Sequence, residues 1–416
     1  NPPKKVVKVT VNGKSVELPT LIIPGTHPNT IGIALGYGRT ETLGKAVVGT
    51  GKNVFPMATL SGNTVSFVQP DVTIAATGDT YKLALTQTHS RYDTTQGNRT
   101  EVVKELTLAD FKANPTEIRE DRDAELKPFG GLEKFESQGT IYPVYDRPGI
   151  KWGMSVDLNT CTGCSACVIA CTAENNVPVV GKPEVMRFHD MQWIRIDRYF
   201  SGDMDNPKVV FQPIMCQHCD NAPCENVCPV AATNHSSEGL NQMTYNRCIG
   251  TRYCANNCPF KVRRFNWADY MGADSFPDNQ RDVLNDVVME MNDDLTRMVL
   301  NPDVTVRSRG VIEKCSFCVQ RLQEAKLKAK KDSRPMIDSD IKVACQQACP
   351  TNAIQFGNAN DVNSNITKVR KDNPNRQFYV LEQLHVLPNV TYLAKVRNLE
   401  GEEGEKNEEK KEAAHA

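Results

Sequence analysis

Short apolar runs separated by glycine and proline dominate the first hundred residues of the chain. These runs fall within Leu18–Pro24, Ile31–Thr40 and Gly44–Pro56. The pattern predicts short strands joined by tight turns, and it favours a β-barrel over βαβ units. We therefore predict a β-barrel domain over residues 1–111.

Beyond this domain the pattern of polar and apolar positions changes several times. Residues 112–150 carry scattered proline and glycine, which predicts an extended linker. Trp193–Tyr199 alternates as a strand does, and Arg321–Lys331 has the pattern of a basic helix. Residues 398–416 form a charged, low-complexity tail that we expect to be disordered. This leaves 151–397 as a second domain.

Composition and charge narrow the class of protein. A length of 416 residues predicts two or three domains, and Lys+Arg 49 against Asp+Glu 50 gives a net charge of −1. Because proteins that bind nucleic acid usually show a basic excess, we expect no nucleic-acid partner. The longest uncharged stretch, 18–38, is interrupted by proline, so the sequence predicts no transmembrane helix. The chain starts at Asn1 rather than Met, and we expect a processed chain or the downstream part of a longer protein.

The candidate chemistry lies in fifteen cysteines, all between Cys161 and Cys349. An odd number excludes complete intramolecular disulfide pairing, and disulfides seldom recur at fixed short spacings. Three of the runs contain a Cys-Pro junction. The four runs are Cys161-x2-Cys164-x2-Cys167-x3-Cys171, Cys216-x2-Cys219-x4-Cys224-x3-Cys228, Cys248-x5-Cys254-x3-Cys258, and Cys315-x2-Cys318 followed by Cys345-x3-Cys349.

These spacings match the ligand pattern of 4Fe–4S clusters. A tight C-x2-C-x2-C loop wraps three corners of a cubane, and the fourth cysteine, three residues on, serves the other cluster of a pair. Structural zinc explains the second and fourth runs, but it does not explain the additional closely spaced thiols of the first run. A disulfide scaffold is disfavoured because the chain is long enough to build ordinary cores. The sequence therefore predicts iron–sulfur clusters.

One thiolate is missing from the sixteen that four cubane clusters need. In the third run, Thr251 stands where the C-x2-C-x2-C-x3-C pattern has its second cysteine. A neutral hydroxyl is a poor ligand for iron beside soft thiolates and sulfides. We expect a 3Fe–4S cluster at this position. The alternatives are a 4Fe cluster with water or the Thr251 oxygen on its fourth iron, or no cluster at all.

The four runs, in this order, resemble the four-cluster electron-transfer subunits of the molybdoenzyme superfamily, such as those of dimethyl-sulfoxide, polysulfide and nitrate reductases. The resemblance covers about residues 150–397, with CTGCSAC at Cys161–Cys167 and CPFKVRRFNW at Cys258–Trp267 as its specific phrases. It implies a double two-cluster ferredoxin-like domain, in which the first run pairs with the fourth and the second with the third. The implied ligand sets are Cys161, Cys164, Cys167 and Cys349 (4Fe–4S), Cys171, Cys315, Cys318 and Cys345 (4Fe–4S), Cys216, Cys219, Cys224 and Cys258 (4Fe–4S), and Cys228, Cys248 and Cys254 (3Fe–4S).

The first domain resembles the C-terminal cap domain of molybdopterin oxidoreductases. The phrases that carry this resemblance are Gly-Tyr-Gly-Arg-Thr at Gly36–Thr40 and Thr-Gln-Thr-His at Thr86–His89. A cap fused upstream of a four-cluster domain resembles the large iron–sulfur subunit of bacterial alternative complex III, a quinol-oxidising respiratory complex. The resemblance implies an α+β fold whose first domain is molybdopterin-like. It also implies three 4Fe–4S clusters, one 3Fe–4S cluster and no molybdenum cofactor.

The expected function is therefore electron transfer, with no catalytic side chain in this chain. The resemblance implies three partners, namely an integral membrane quinol-binding subunit, a multihaem c-type cytochrome subunit and upstream molybdopterin-like domains. It implies a peripheral position on the periplasmic face of the bacterial inner membrane, with the basic segment Lys261–Trp267 beside the membrane subunit. The alternative is the electron-transfer part of a true molybdopterin oxidoreductase of the polysulfide, dimethyl-sulfoxide or tetrathionate reductase type.

Overall fold

The N-terminal part of the chain is built from antiparallel strands. The computed structural model describes residues 3–40, 48–87, 93–94, 97–98, 102–141, 143–268, 270 and 298–398. The first strands are β1 (Lys4–Val11), β2 (Lys14–Pro19), β3 (Thr59–Ser61), β4 (Thr64–Ser66), β5 (Thr73–Tyr81), β6 (Asp93–Thr94) and β7 (Gly97–Asn98). They form a three-stranded sheet in the order β2-β1-β5 and two separate hairpins, β3-β4 and β6-β7.

The first hairpin follows directly from local sequence. Asn12 and Gly13 both have positive φ, which suits the two-residue turn that pairs Val11 with Lys14. Alternation along β1 buries Val9 and Val11, and these two residues belong to a small core with Val54 and Met57. Residues of β5 are mostly exposed. The described strands do not close into a barrel, so the barrel cap stays a prediction, and His89 lies outside the described residues.

The expected extended linker is helical over most of its length. Its helices are α1 (Leu108–Ala113), α2 (Glu117–Leu126) and α3 (Gly131–Gln138). The Arg122 guanidinium makes two hydrogen bonds of 2.8 Å to the Glu382 carboxylate, which ties α2 to the C-terminal part of the chain. The prediction was wrong because Pro115 and Gly130 separate short helices here instead of marking extended chain. Among its described residues, 139–141 and 143–150 lack regular structure, as does the short connection 114–116.

The second domain surrounds a four-stranded sheet whose strands lie in the order β16 (Ile354–Asn358), β9 (Trp152–Asp157), β18 (Val390–Leu393) and β17 (Gln377–Phe378). The central strand β9 is antiparallel to β16, parallel to β18, and buried from Trp152 to Val156. The remaining strands are β8 (Glu105–Thr107), β9 (Trp152–Asp157), β10 (Arg195–Ser201), β11 (Lys208–Ile214), β12 (Thr233–His235), β13 (Asn241–Met243), β14 (Arg264–Phe265), β15 (Ile312–Glu313), β16 (Ile354–Asn358), β17 (Gln377–Phe378), β18 (Val390–Leu393) and β19 (Lys395–Arg397). The predicted strand near Trp193 is thus confirmed as β10, which begins two residues later.

Short helices surround this sheet, and several of them carry cysteines. They are α4 (Ala166–Glu174), α5 (Gly181–Met186), α6 (Pro223–Asn226), α7 (Tyr253–Asn257), α8 (Val319–Lys331), α9 (Ala344–Gln347) and α10 (Asn365–Asp372). The predicted basic helix is confirmed as α8, with three lysines in its last turn. The N-terminal sheet domain contacts this domain through Gln87, whose side chain pairs with the backbone of Arg198 in β10.

No helix in the described part of the chain is both long and apolar enough to cross a bilayer. The predicted disordered tail lies outside the described residues from 399 onward.

Candidate iron–sulfur sites

The structure brings the fifteen cysteines into four groups, each of which unites segments far apart in sequence. In each group the thiols lie close enough to influence one another's ionisation. The groups are site A (Cys161, Cys164, Cys167 and Cys349), site B (Cys171, Cys315, Cys318 and Cys345), site C (Cys216, Cys219, Cys224 and Cys258) and site D (Cys228, Cys248 and Cys254). These are the sets that the sequence resemblance implied.

The loop of site A owes its shape to left-handed residues. Gly163 has φ +69 and Ser165 has φ +64, and α4 starts directly after them. This reversal turns the three thiols of the first run toward one another, and Cys171 follows one helical turn after Cys167. A Cβ on Gly163 would lie 2.5 Å from the Phe211 ring, so both its φ and its contacts require glycine.

Site D repeats this backbone with one ligand changed. Gly250 has φ +74 and Arg252 has φ +62, and α7 starts directly after them. Thr251 therefore occupies the place that Cys164 occupies in site A, and both side chains are exposed. Cys228, Cys248, Thr251 and Cys254 line one small cavity.

The three Cys-Pro junctions share a second repeated shape. The residue three positions after the cysteine has positive φ in each case, at Ala231, Lys261 and Asn352. In two of the junctions the next backbone N–H donates to the cysteine sulfur, at 3.2 Å on Cys228 and 3.3 Å on Cys349. Burial raises the pKa of both thiols, but backbone donors outweigh it, with help from the Thr351 hydroxyl at Cys349, and the pKa falls below its ordinary value. These two junctions thus favour the thiolate form of their cysteines, Cys228 and Cys349.

Most of the other thiols have a pKa above the ordinary value, because they are buried. Burial, together with the neighbouring thiols, raises the pKa of Cys167 and of Cys315 to about 12. Burial likewise raises the pKa of Cys224 to about 12, although the Arg263 charge opposes that shift. Thiolates grouped in a dry interior repel one another, and a bound cation is the usual means of stabilising them. The donor sets therefore fit a positively charged metal centre.

The arrangement suits a cluster better than a single ion. Tetrahedral zinc with Zn–S bonds of about 2.3 Å needs sulfur atoms about 3.8 Å apart. Within the described ranges, no group of three or more His, Cys, Asp or Glu side chains could hold one metal ion. Thiols that lie near one another without converging on a point are those expected around a cubane, where each iron binds its own sulfur.

The four sites follow one another in the order A, B, C, D. Sites A and B share α4, which carries Cys167 of one and Cys171 of the other. Sites B and C meet where Cys315 lies near Cys216. Here the rings of His218 and Phe317, which hold equivalent positions in the second and fourth runs, stack at 3.8 Å between centroids.

His218 is fully buried in this stack. Burial lowers its pKa far below the ordinary value, and the nearby positive charge of Lys314 adds to the shift. Its Nδ1 accepts a hydrogen bond of 3.1 Å from the Asn241 backbone N–H. The histidine is therefore a neutral packing residue between sites B and C. Its position between two cysteines was visible in sequence, but its stacking partner, 99 positions away by residue number, was not.

In the basic segment Lys261–Trp267, two of the three basic side chains are buried or paired within the chain. The Arg263 side chain is buried, and the Arg264 guanidinium pairs with the Asp190 carboxylate at 3.0 Å. Lys261 is exposed, but its ammonium group donates to the Asn256 carbonyl at 2.8 Å. The expected cluster of free basic side chains was wrong, because a run of basic residues does not reveal which side chains a short strand turns inward. The position of this segment beside a membrane subunit stays a prediction.

Comparison with known proteins agrees with the cysteine geometry. Models of the 4Fe-4S dicluster domain match residues 160–232 and 207–274. The chain is 37% identical over 252 residues to the menaquinone reductase iron–sulfur cluster-binding subunit of Nitratidesulfovibrio vulgaris, covering 59% of this chain and 89% of that protein. It belongs to the family of ferredoxin-type iron–sulfur subunits.

Two further family members show how wide the similarity is. The Hdr-like menaquinol oxidoreductase iron–sulfur subunit 1 of Archaeoglobus fulgidus is 35% identical over 54% of this chain and 76% of its own length. The iron–sulfur subunit of the putative dimethyl sulfoxide reductase of Halobacterium salinarum is 29% identical over 58% of this chain and 78% of its own length. These three relatives are thus named as iron–sulfur subunits of a menaquinone reductase, a menaquinol oxidoreductase and a putative dimethyl sulfoxide reductase.

Replacing Gly250 with alanine is expected to destabilise the site D loop strongly. Positive φ costs an alanine about 1–2 kcal/mol, and the new Cβ would in addition meet the backbone oxygen of Gly310. Gly181→Ala is the matched control, because Gly181 has φ +73 but its Cβ would approach only Pro183, at 3.9 Å. We expect chemical denaturation to show a loss of at least about 3 kcal/mol for Gly250→Ala and about 1–2 kcal/mol for the control. Equal losses would mean that the contact with Gly310 is unimportant.

Proposed function

We propose that the chain binds three 4Fe–4S clusters at sites A, B and C and one 3Fe–4S cluster at site D. The fifteen cysteines would be the iron ligands, in the four groups described above. The grouping of thiols from distant segments supports this assignment, as do the two dicluster-domain matches. When bound, such clusters take up and release one electron at a time.

The 3Fe–4S assignment at site D rests on Thr251. Its loop has the backbone of a cysteine-bearing loop, so a side chain at this position lies where a fourth ligand would stand. A threonine hydroxyl binds iron poorly in sulfur surroundings, so the cluster would lack the iron at that corner.

The change Thr251→Cys tests the cluster type directly. The oxidised wild-type chain is expected to give the EPR signal of a 3Fe–4S cluster at about one spin per chain. In Thr251→Cys, a fourth thiolate should convert this cluster to 4Fe–4S, so that the signal disappears and iron content rises by about one atom per chain. Thr251→Ser keeps the hydroxyl and is the control that should retain the signal. A wild-type chain with full iron content and no such signal would contradict the assignment.

We further propose that the chain is the electron-transfer subunit of a quinol-oxidising respiratory complex of the alternative complex III type. Two relatives, whose names contain menaquinone or menaquinol, support a quinone-linked role. Menaquinol would give up two electrons and two protons at an integral membrane subunit. The electrons would enter singly at site D and leave toward a multihaem c-type cytochrome.

The proposed setting is peripheral, on the periplasmic face of the membrane. Upstream molybdopterin-like domains would cover apolar side chains that the N-terminal sheet domain leaves outside its small core. Large examples are Ile22, exposed by 94%, Leu60 by 79% and Val68 by 85%. Large apolar side chains with this exposure would be removed from water by an interface with those domains.

Replacing Cys248 with serine tests the entry of electrons at site D. Serine removes a soft ligand from a cluster that has only three, so the cluster is expected to be lost. Quinol-driven reduction of the cytochrome in the intact complex should then fall at least tenfold. Iron analysis and EPR of the other three clusters serve as the control. Undiminished turnover in a complex that has lost only this cluster would remove site D from the path.

A second candidate is the electron-transfer part of a true molybdopterin oxidoreductase. Two relatives favour this candidate, one named for a dimethyl sulfoxide reductase and one, from a Shewanella species, named for an arsenate respiratory reductase. Metal analysis of the purified complex separates the two candidates. Iron without molybdenum or tungsten is expected for the quinol-oxidising complex, whereas one molybdenum or tungsten per complex would establish the second candidate instead.

A further inference from the structure

Arg263 is a buried cation that contacts a thiol of site C. Its guanidinium donates to the Cys224 sulfur at 3.0 Å and to the Asn241 side-chain oxygen at 2.8 Å. Its other terminal nitrogen donates to the Thr233 hydroxyl at 3.1 Å and the Met243 sulfur at 3.2 Å. None of these partners is a carboxylate, and the residue is only 6% exposed.

The same charge also acts on site D. Thr233 and Met243, which the guanidinium contacts, also line the small cavity of Cys228, Cys248 and Cys254. One guanidinium thus lies between the thiols of two neighbouring sites, where sulfur is its main source of negative charge.

A cation in this position is expected to affect electron uptake. Each electron added to a cluster increases its negative charge, and a positive charge within a few ångströms stabilises the reduced form in a low-dielectric interior. A hydrogen bond to a cluster sulfur acts in the same direction. Because no carboxylate neutralises the guanidinium within the described residues, its full charge is available to both sites.

We propose that Arg263 is a shared positioning residue that raises the reduction potentials of the clusters at sites C and D together. The proposal rests on the proposed function only in requiring that both sites hold clusters. It makes Arg263 the residue that keeps the entry cluster and its neighbour at high potential, so that both accept electrons from a quinol.

Lys314 provides an internal comparison between sites B and C. Its side chain is buried, and its ammonium group donates to the Cys315 carbonyl at 2.9 Å and to the Asn241 carbonyl. It influences the thiols of Cys224 and Cys315. Loss of this charge should therefore act on sites B and C and leave site D nearly unchanged.

The test is a redox titration, followed by EPR, of the holoprotein and its variants. Arg263→Gln should lower the potentials of the 3Fe–4S cluster and of the site C cluster. For each, the equilibrium constant for reduction should change at least tenfold, which corresponds to about 59 mV for one electron. Arg263→Lys keeps the charge and should restore most of the shift. Lys314→Gln should leave the equilibrium constant for reduction of the 3Fe–4S cluster within threefold of wild type.

Arg122→Gln is the matched control, because this guanidinium is buried like that of Arg263 but pairs with the Glu382 carboxylate instead of a thiol. It should leave the equilibrium constants for reduction of both clusters within threefold of wild type. If Arg263→Gln fails to fold, Met243→Glu places a carboxylate beside the guanidinium and should lower the same two potentials.

Two results would overturn the inference: unchanged potentials in cluster-loaded Arg263→Gln or Met243→Glu, or equal shifts in Arg122→Gln. A wild-type chain without the four clusters would instead overturn the proposed function, and iron content and EPR of wild type reveal that separately.

Discussion

The structure of the second domain depends on one constraint, which is the crowding of ionisable sulfur in a largely buried interior. Thiols in such surroundings hold their protons tightly, as the raised pKa values of Cys167 and Cys315 indicate. They bind metal only as thiolates, so each site needs compensating positive charge. Positive charge near the thiolates can come from bound metal, from backbone N–H groups at the Cys-Pro junctions, and from buried cations such as Arg263. Folding and metal loading of this domain are therefore expected to be coupled.

Repetition is the means by which one chain builds four such sites. The same glycine-led reversal opens sites A and D, and the same left-handed residue follows each Cys-Pro pair. At the junction of sites B and C, equivalent positions of two runs meet as the His218–Phe317 stack. Neighbouring sites thus share structural elements. Sites A and B share a helix, and sites B and C share a stacked ring pair, so a distortion at one site is expected to affect the next.

The sequence predicted those features of the fold and the sites that depend on residues close together in the chain. Cysteine spacing indicated iron–sulfur ligands within each run, because short loops fix the relative position of their own ligands, whereas the pairing of distant runs into four groups came from the family resemblance. The offset of Thr251 from the pattern marked the odd site, whose cluster type stays a prediction. Sequence failed where the outcome depended on tertiary contacts. Proline and glycine between 112 and 138 separate helices rather than extended segments, and the burial of Arg263 depends on residues from three other segments. The barrel cap stays a prediction for a related reason, since alternating strands do not specify whether a sheet closes.

The distribution of cysteines along the chain also bears on the order in which the protein is made. Sites C and D draw all of their sulfur from residues 216–258, whereas sites A and B remain incomplete until Cys345 and Cys349 have been synthesised. At about 5–20 residues per second, the ribosome needs roughly 5–20 s to pass from Cys258 to Cys349. During this time Cys161, Cys164, Cys167 and Cys171 are without their last partners, and Cys315 and Cys318 join them before it ends. Sites A and B thus receive the first cysteines of the chain but are the last to be completed. Until then their thiols need protection by other factors bound to the nascent chain.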